Sequence, residues 1–122
     1  MARLLVVDDE PGICEALQEF FEGEGFETFT ALDGPTALEI IKRERPHVVL
    51  LDIVMPGMDG LEVLEEARAI DPKVGIIMVT AVHDEPLAKK ALAMGANDYI
   101  TKPLDLNYLR MSVLTKVLDL IG

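Results

Sequence analysis

The sequence predicts an α/β fold, a doubly wound parallel sheet of five strands in which each strand is followed by a helix. Three observations carry that prediction. The runs Leu4-Leu5-Val6-Val7, Val48-Val49-Leu50-Leu51 and Ile76-Ile77-Met78-Val79 are apolar without alternation, the composition of strands covered on both faces. Segments with helical periodicity separate them. Each run stops at a polar residue, at Asp8-Asp9, at Asp52 and at Thr80 respectively.

The elements follow in order. After the first strand, Ile13, Leu17, Phe20 and Phe21 keep the 3.6-residue period of a helix that Gly23 and Gly25 end. Glu27-Thr28-Phe29-Thr30-Ala31 reads as a second, more polar strand, and Asp33-Gly34-Pro35 turns into a helix carrying Ala37, Leu38 and Ile41. Pro46 closes that helix off before the third strand. A third helix places Leu61, Leu64 and Ala67 together and stops near Asp71-Pro72. The fourth runs from Glu85 or Pro86 through Leu87, Ala91 and Leu92 to Gly95, a C-terminal cap candidate. Asp98-Tyr99-Ile100-Thr101 is a fifth, polar strand that stops at Lys102. The last helix begins after Asp105, an N-cap candidate, and runs to about Ile121. Its core stripe is expected to be Leu106, Leu109, Val113, Val117, Leu120 and Ile121. Met111, Leu114 and Leu118 widen the apolar face beyond the roughly 100° that burial against a sheet needs, which fits either a wider core contact or a partner surface.

Strict alternation of strands and helices implies right-handed crossovers. The two polar strands belong at the edges, which gives the order 2-1-3-4-5 with its switch point between strands one and three. Parallel strands end at one edge, so Asp8, Asp9, Asp52, Thr80 and Lys102 are expected to meet there, where open α/β sheets bind ligands.

Composition bounds the function. The length of 122 residues suits one domain over 1–122, able to bury roughly two thirds of its unfolded surface. With 22 acidic against 11 basic side chains, the net charge of -11 opposes direct binding of nucleic acid or anionic membrane and points to proteins or cations as partners. The lone Cys14 has no disulfide or metal-site partner and reads as a small helix-flank residue in a reducing cytoplasm. No signal-peptide layout and no stretch of membrane-spanning length is present in the sequence.

Three converging carboxylates repel one another, which calls for a cation. Oxygen donors alone select a hard ion, and Mg²⁺ fits because it binds through one or two carboxylates and shares its shell with phosphate oxygens. Calcium-loop spacing and a His or Cys cluster are missing. Asp8 and Asp9 could by themselves cap the first helix, but two consecutive acids joined by Asp52 and Lys102, each at a strand end, are better explained as a site. A metal beside a carboxylate and an ammonium suits phosphoryl transfer, with Asp52 as nucleophile forming an acyl phosphate. Neither G-x-x-x-x-G-K nor G-x-G-x-x-G occurs, so no nucleotide is expected as a direct ligand, and Pro56-Gly57-Met58-Asp59-Gly60 reads as turn chemistry. His47 reads as a surface or loop residue. His83, in the loop after Thr80, reads as solvent-exposed or as a contact to a partner or the phosphoryl group. The six methionines read as core filling.

Asp8-Asp9, Asp52 followed by Met55-Pro56-Gly57-Met58-Asp59-Gly60, Thr80-Ala81, Gly95-Ala96-Asn97-Asp98-Tyr99 and Lys102-Pro103 together resemble the receiver domain of two-component response regulators. The resemblance covers essentially the whole chain and implies a flavodoxin-like (βα)5 fold. It implies that Asp52 accepts phosphoryl from a sensor histidine kinase or a phosphotransfer protein. Asp8, Asp9, Asp52 and the backbone carbonyl of Val54 would hold Mg²⁺, and Lys102 would pair with the phosphoryl group. Thr80 and Tyr99 would act as the switch, and a cis bond would join Lys102 to Pro103. The responding surface would be helix four, strand five and helix five, meeting an output domain or protein, or a second copy in a phosphorylation-dependent homodimer. Such a chain is a signalling domain that promotes only its own Asp phosphorylation and dephosphorylation. Val54 and Val82 would flank the path of the hydrolytic water, giving a long-lived acyl phosphate. A haloacid-dehalogenase-like phosphatase is the rival, yet it needs a second Asp two residues after the first, where Val54 stands. A phosphorylation-independent binding module on the same fold is opposed by the intact acidic set.

Overall fold

The computed structural model describes residues 2–121. Five strands, β1 (Arg3–Val7), β2 (Glu27–Ala31), β3 (Val48–Leu51), β4 (Gly75–Thr80) and β5 (Asp98–Thr101), alternate with five helices. The helices are α1 (Pro11–Gly23), α2 (Gly34–Glu44), α3 (Gly60–Ile70), α4 (Glu85–Ala93) and α5 (Leu106–Ile121). Every strand pairing is parallel and the sheet order is β2-β1-β3-β4-β5, as the polarity of the edge strands predicts.

Period-two alternation sends each strand's side chains to two cores. Leu5, Val7, Val49, Leu51, Ile76 and Met78 pack under α2, α3 and α4, against residues such as Ile41, Leu64 and Ala91. Leu4, Val6, Leu50, Ile77, Val79 and Ile100 pack under α1 and α5, against Leu17, Phe21, Leu109 and Val113. Central β3 and β4 are buried throughout, whereas β2 and β5 are partly open. That is why only the central runs lack polar residues.

Side-chain caps set the helix starts. Asp33, Asp59 and Asp84 accept the amides of Thr36, Glu62 and Leu87 at 2.8, 3.0 and 3.1 Å, and Asp105 accepts that of Tyr108 at 3.1 Å. Helix α1 differs. Its N-cap is Glu10, with no side-chain cap bond and Pro11 in the first turn, so neither Asp8 nor Asp9 is its capping residue.

Two expectations for α5 need correction. Leu106 and Leu120 are 41% and 37% exposed instead of buried, because the sixteen-residue helix is longer than β3 and β4, the four- and six-residue strands it packs on. Its core stripe is Leu109, Val113 and Val117; the side chain of Ile121 lies outside the described residues. Met111, Leu114 and Leu118 are exposed, so the wide apolar face is not core contact. Helix α4 is the least buried of the helices on its face, with Ala91 its one buried residue.

His47 is a structural node. Half-buried, it accepts the Arg3 amide on Nδ1 at 2.9 Å, donates its own amide to the Arg3 carbonyl at 2.9 Å, and receives the Gly75 amide on its carbonyl at 2.9 Å. It thereby ties the starts of β1, β3 and β4. Burial, aided by the charge of Arg3, lowers its pKa below the ordinary 6.5. The folded chain takes up this proton less readily than the unfolded chain does, so stability falls as pH drops through 6.5 towards the folded midpoint and levels off below it. An NMR titration should place His47 below 6.5. His47→Ala should cost about 1 kcal/mol at neutral pH in urea denaturation, by leaving the Arg3 amide without its acceptor.

Candidate functional site

The carboxyl ends of four strands deliver the site. In register, Val7 lies beside Leu51 and Thr80 beside Thr101, so the residues that follow β1, β3 and β5 are brought level with the end of β4. The Asp52 amide donates to the Val7 carbonyl at 3.0 Å and the Lys102 amide to the Thr80 carbonyl at 2.8 Å, which extends the ladders into the site. Asp8, Asp52 and Thr80 are buried at 3%, 6% and 0% exposure. Asp9 and Glu10 are exposed at the rim.

Lys102 holds the centre. Its Nζ lies 2.8 Å from Asp8 Oδ2 and 3.3 Å from Asp52 Oδ2. Burial pushes the Asp8 carboxyl above its ordinary pKa; the hydrogen bonds from Lys102 and the Glu10 amide recover only part of that, and the nearby Asp52 charge adds to it. For Lys102, burial would lower the pKa, but the hydrogen bond to Asp8 and the charges of Asp52 and Asp8 outweigh it and raise it. The ammonium therefore stays charged beside both carboxylates. An open pocket of about 280 Å³ lies over this group, lined by Asp9, Glu10, Asp52, Val54, Thr80 and Lys102.

The remaining donors fit a hard cation. Asp8, Asp9 and Glu10 each offer a carboxylate oxygen, all within 4.8 Å of one another. Glu10 was not among the residues singled out from sequence, although as the third consecutive acid it carried a signal. Asp52 joins Asp8 through Lys102, and its Oδ1 accepts the Val54 amide at 3.3 Å. The Val54 side chain is 62% exposed at the pocket.

Beyond the carboxylates, a chain of hydrogen bonds leads away from Thr80. Its Oγ1 accepts the Val82 amide at 3.3 Å, and the Val82 carbonyl accepts the hydroxyl of half-buried Tyr99 at 2.8 Å. Burial, with the charges of Asp84 and Asp52, raises the Tyr99 pKa, which keeps the hydroxyl a donor. The Lys102–Pro103 bond is cis, as expected.

A family model of the response regulator receiver domain matches residues 4–114. The chain belongs to that family. It is similar to sporulation initiation phosphotransferase F of Bacillus subtilis (strain 168), 40% identical over 111 residues that make up 91% of this chain and 90% of that protein. It is also similar to regulatory protein AtoC of Escherichia coli (strain K12), 42% identical over 91% of this chain but spanning only 24% of AtoC. A CheY-like response regulator receiver domain protein from Methanospirillum hungatei JF-1 superimposes with a TM-score of 0.94 at 32% identity, covering 98% of this chain and 95% of that one. The flavodoxin-like fold and the reading as a phosphorylation-activated switch follow from membership; the dehalogenase-like alternative is not favoured. Receiver domains are signalling domains.

In this receiver domain the turn after Asp52 also has a packing task. The Gly60 amide donates to the Ile53 carbonyl at 2.8 Å, and a Cβ on Gly60 would stand 2.7 Å from Ile53 Cα and 2.8 Å from the Asp52 carbonyl carbon. Only glycine lets α3 start against the backbone that carries Asp52. Gly60→Ala should lower stability by about 3 kcal/mol and displace Asp52, read from urea denaturation and from the Asp52 carboxyl NMR resonance. At Gly12 a Cβ meets nothing within 4 Å, and Gly12→Ala should raise stability by about 0.5 kcal/mol.

Proposed function

We propose that Asp52 is the phosphoacceptor of this receiver domain, that residues 1–122 act as one such domain, and that the donor is the phosphohistidine of a sensor histidine kinase or phosphotransfer protein. The observation that carries the assignment is the Lys102 ammonium, held 2.8 Å from Asp8 and 3.3 Å from Asp52, where it can follow the charge of an incoming phosphoryl group. A carboxylate oxygen of Asp52 attacks phosphorus while the P–N bond breaks and the imidazole leaves with its electron pair. Asp8 and Asp9, with Asp52 and the Val54 carbonyl, would hold Mg²⁺. Bound there, Mg²⁺ would supply positive charge to the phosphoryl oxygens. The all-oxygen set, in which exposed Glu10 adds a third carboxylate to buried Asp8 and exposed Asp9, supports that choice of ion.

The switch begins at Thr80. Drawing its hydroxyl onto a phosphoryl oxygen removes the acceptor of the Val82 amide, and the Val82 carbonyl is where Tyr99 is tied. Tyr99 on β5 then connects the site to the face of α4, β5 and α5, where Leu92, Tyr108, Met111, Leu114 and Leu118 are exposed. An output domain or protein, or a second copy in a phosphorylation-dependent homodimer, would read that face. Its own chemistry is limited to Asp phosphorylation and dephosphorylation. A cytoplasmic place fits the lone cysteine and the lack, among the described residues, of a helix long and apolar enough to cross a membrane. The net charge of -11 argues against direct nucleic-acid binding.

Incubation with acetyl phosphate and Mg²⁺ should add one phosphoryl mass, lost in Asp52→Asn and on chelation; undiminished labelling in either case rejects the assignment. The acyl phosphate should also be slow to hydrolyse, because the apolar Val54 and Val82 cannot orient a water in line with phosphorus. Val54→Asn with Val82→Glu should speed its decay at least several-fold. Decay of the parent within seconds would show that these two positions do not set the lifetime.

A further inference from the structure

Each polar part of Lys102 is engaged. Its ammonium meets Asp8 and Asp52, its amide donates to the Thr80 carbonyl at 2.8 Å, and its carbonyl oxygen lies 3.2 Å from Nε2 of His83. A carbonyl oxygen only accepts, so that ring nitrogen carries the proton, in the neutral ring and in the imidazolium alike. Thr80 and His83 thus grip the two sides of the Lys102 residue from one short loop, and the segment Thr80-Ala81-Val82-His83 closes a hydrogen-bonded ring on it. On the amide side the grip is a sheet bond. On the carbonyl side β5 has already ended, and the next residue, Pro103, has no amide with which to continue the ladder.

We propose that His83 is a positioning residue for the phosphoryl transfer: by holding the Lys102 carbonyl it fixes the backbone from which the ammonium reaches the phosphoryl group on Asp52. This rests on the reading of Asp52 as phosphoacceptor. Lysine reaches its target through four flexible methylenes, so a fixed peptide limits how many stem conformations must be searched before Nζ makes its 2.8 and 3.3 Å contacts. His83 is hydrogen-bonded to none of the carboxylates and does not itself line the pocket, and it gives up no proton in the step. The loop itself does not depend on it, because Tyr99 and Thr80 hold Val82 independently. His83 is exposed, so its removal should leave the fold intact.

The test compares the parent with His83→Ala and with His83→Gln, which keeps an N–H donor. The second-order rate of Asp52 phosphorylation by phosphoramidate at saturating Mg²⁺ is measured beside the ¹³C carbonyl shift of Lys102. His83→Ala should slow phosphorylation about three- to tenfold, the effect of one lost hydrogen bond, and should move the Lys102 carbonyl resonance. His83→Gln should recover at least half of the rate and of the shift, and Mg²⁺ affinity should stay within about twofold throughout. An unmoved carbonyl in His83→Ala, an unchanged rate despite a moved carbonyl, or a His83→Gln variant as slow as His83→Ala would each overturn the proposal. A parent that takes up no phosphoryl at all would instead remove the Asp52 reading beneath it.

Discussion

Two carboxylates buried side by side are tolerable only with a cation between them, and the position of Lys102 is the constraint on which the rest of the structure depends. Asp8 and Asp52 come from strands that are neighbours in the sheet, whereas Lys102 comes from the far edge, two strands away from Asp52. The link spans 94 residues of sequence to Asp8 and 50 to Asp52. A cation from outside would compete for the same oxygens. The site is therefore balanced: the internal ammonium offsets part of the repulsion between the two acids and part of the cost of burying them.

That arrangement follows from the topology. Alternating strands and helices force parallel pairing, parallel pairing aligns the carboxyl ends, and the reversal of winding at β1 and β3 opens a gap with no helix across it. Gly60 sharpens the result. By letting α3 begin in contact with the Asp52 backbone, it ties the exit from β3 to packed main chain, so the Asp52 carboxylate does not stand on a free loop.

Much of this was legible in the residues. Unalternating apolar runs and the polar residues that end them located three of the site's four strand ends, the polar segment before Lys102 located the fourth, and the polarity of β2 and β5 placed the edges. Other features were hidden for a common reason: they depend on contacts between distant segments. His47 read as a surface residue because nothing local shows that its ring accepts the Arg3 amide 44 residues away. Leu106 and Leu120 kept the helical period, yet periodicity carries no information on where the sheet beneath ends. Glu10 could have been suspected as the third acid in a row, but that its side chain makes no cap bond at the N-cap position shows only in the fold. The bond from Tyr99 to Val82 joins two elements whose loops only meet once β4 and β5 are paired.

Helix α4 fully buries a single alanine, Ala91, sets half-buried Leu87 against the core, and turns most of its remaining residues outward. Most substitutions along it therefore leave the core undisturbed while altering the surface offered to whatever reads the domain. Stability and recognition are written on separate residues. Copies of such a gene can diverge in the company they keep without first passing through a poorly folded ancestor, and one scaffold can supply many insulated signalling lines within a single cell.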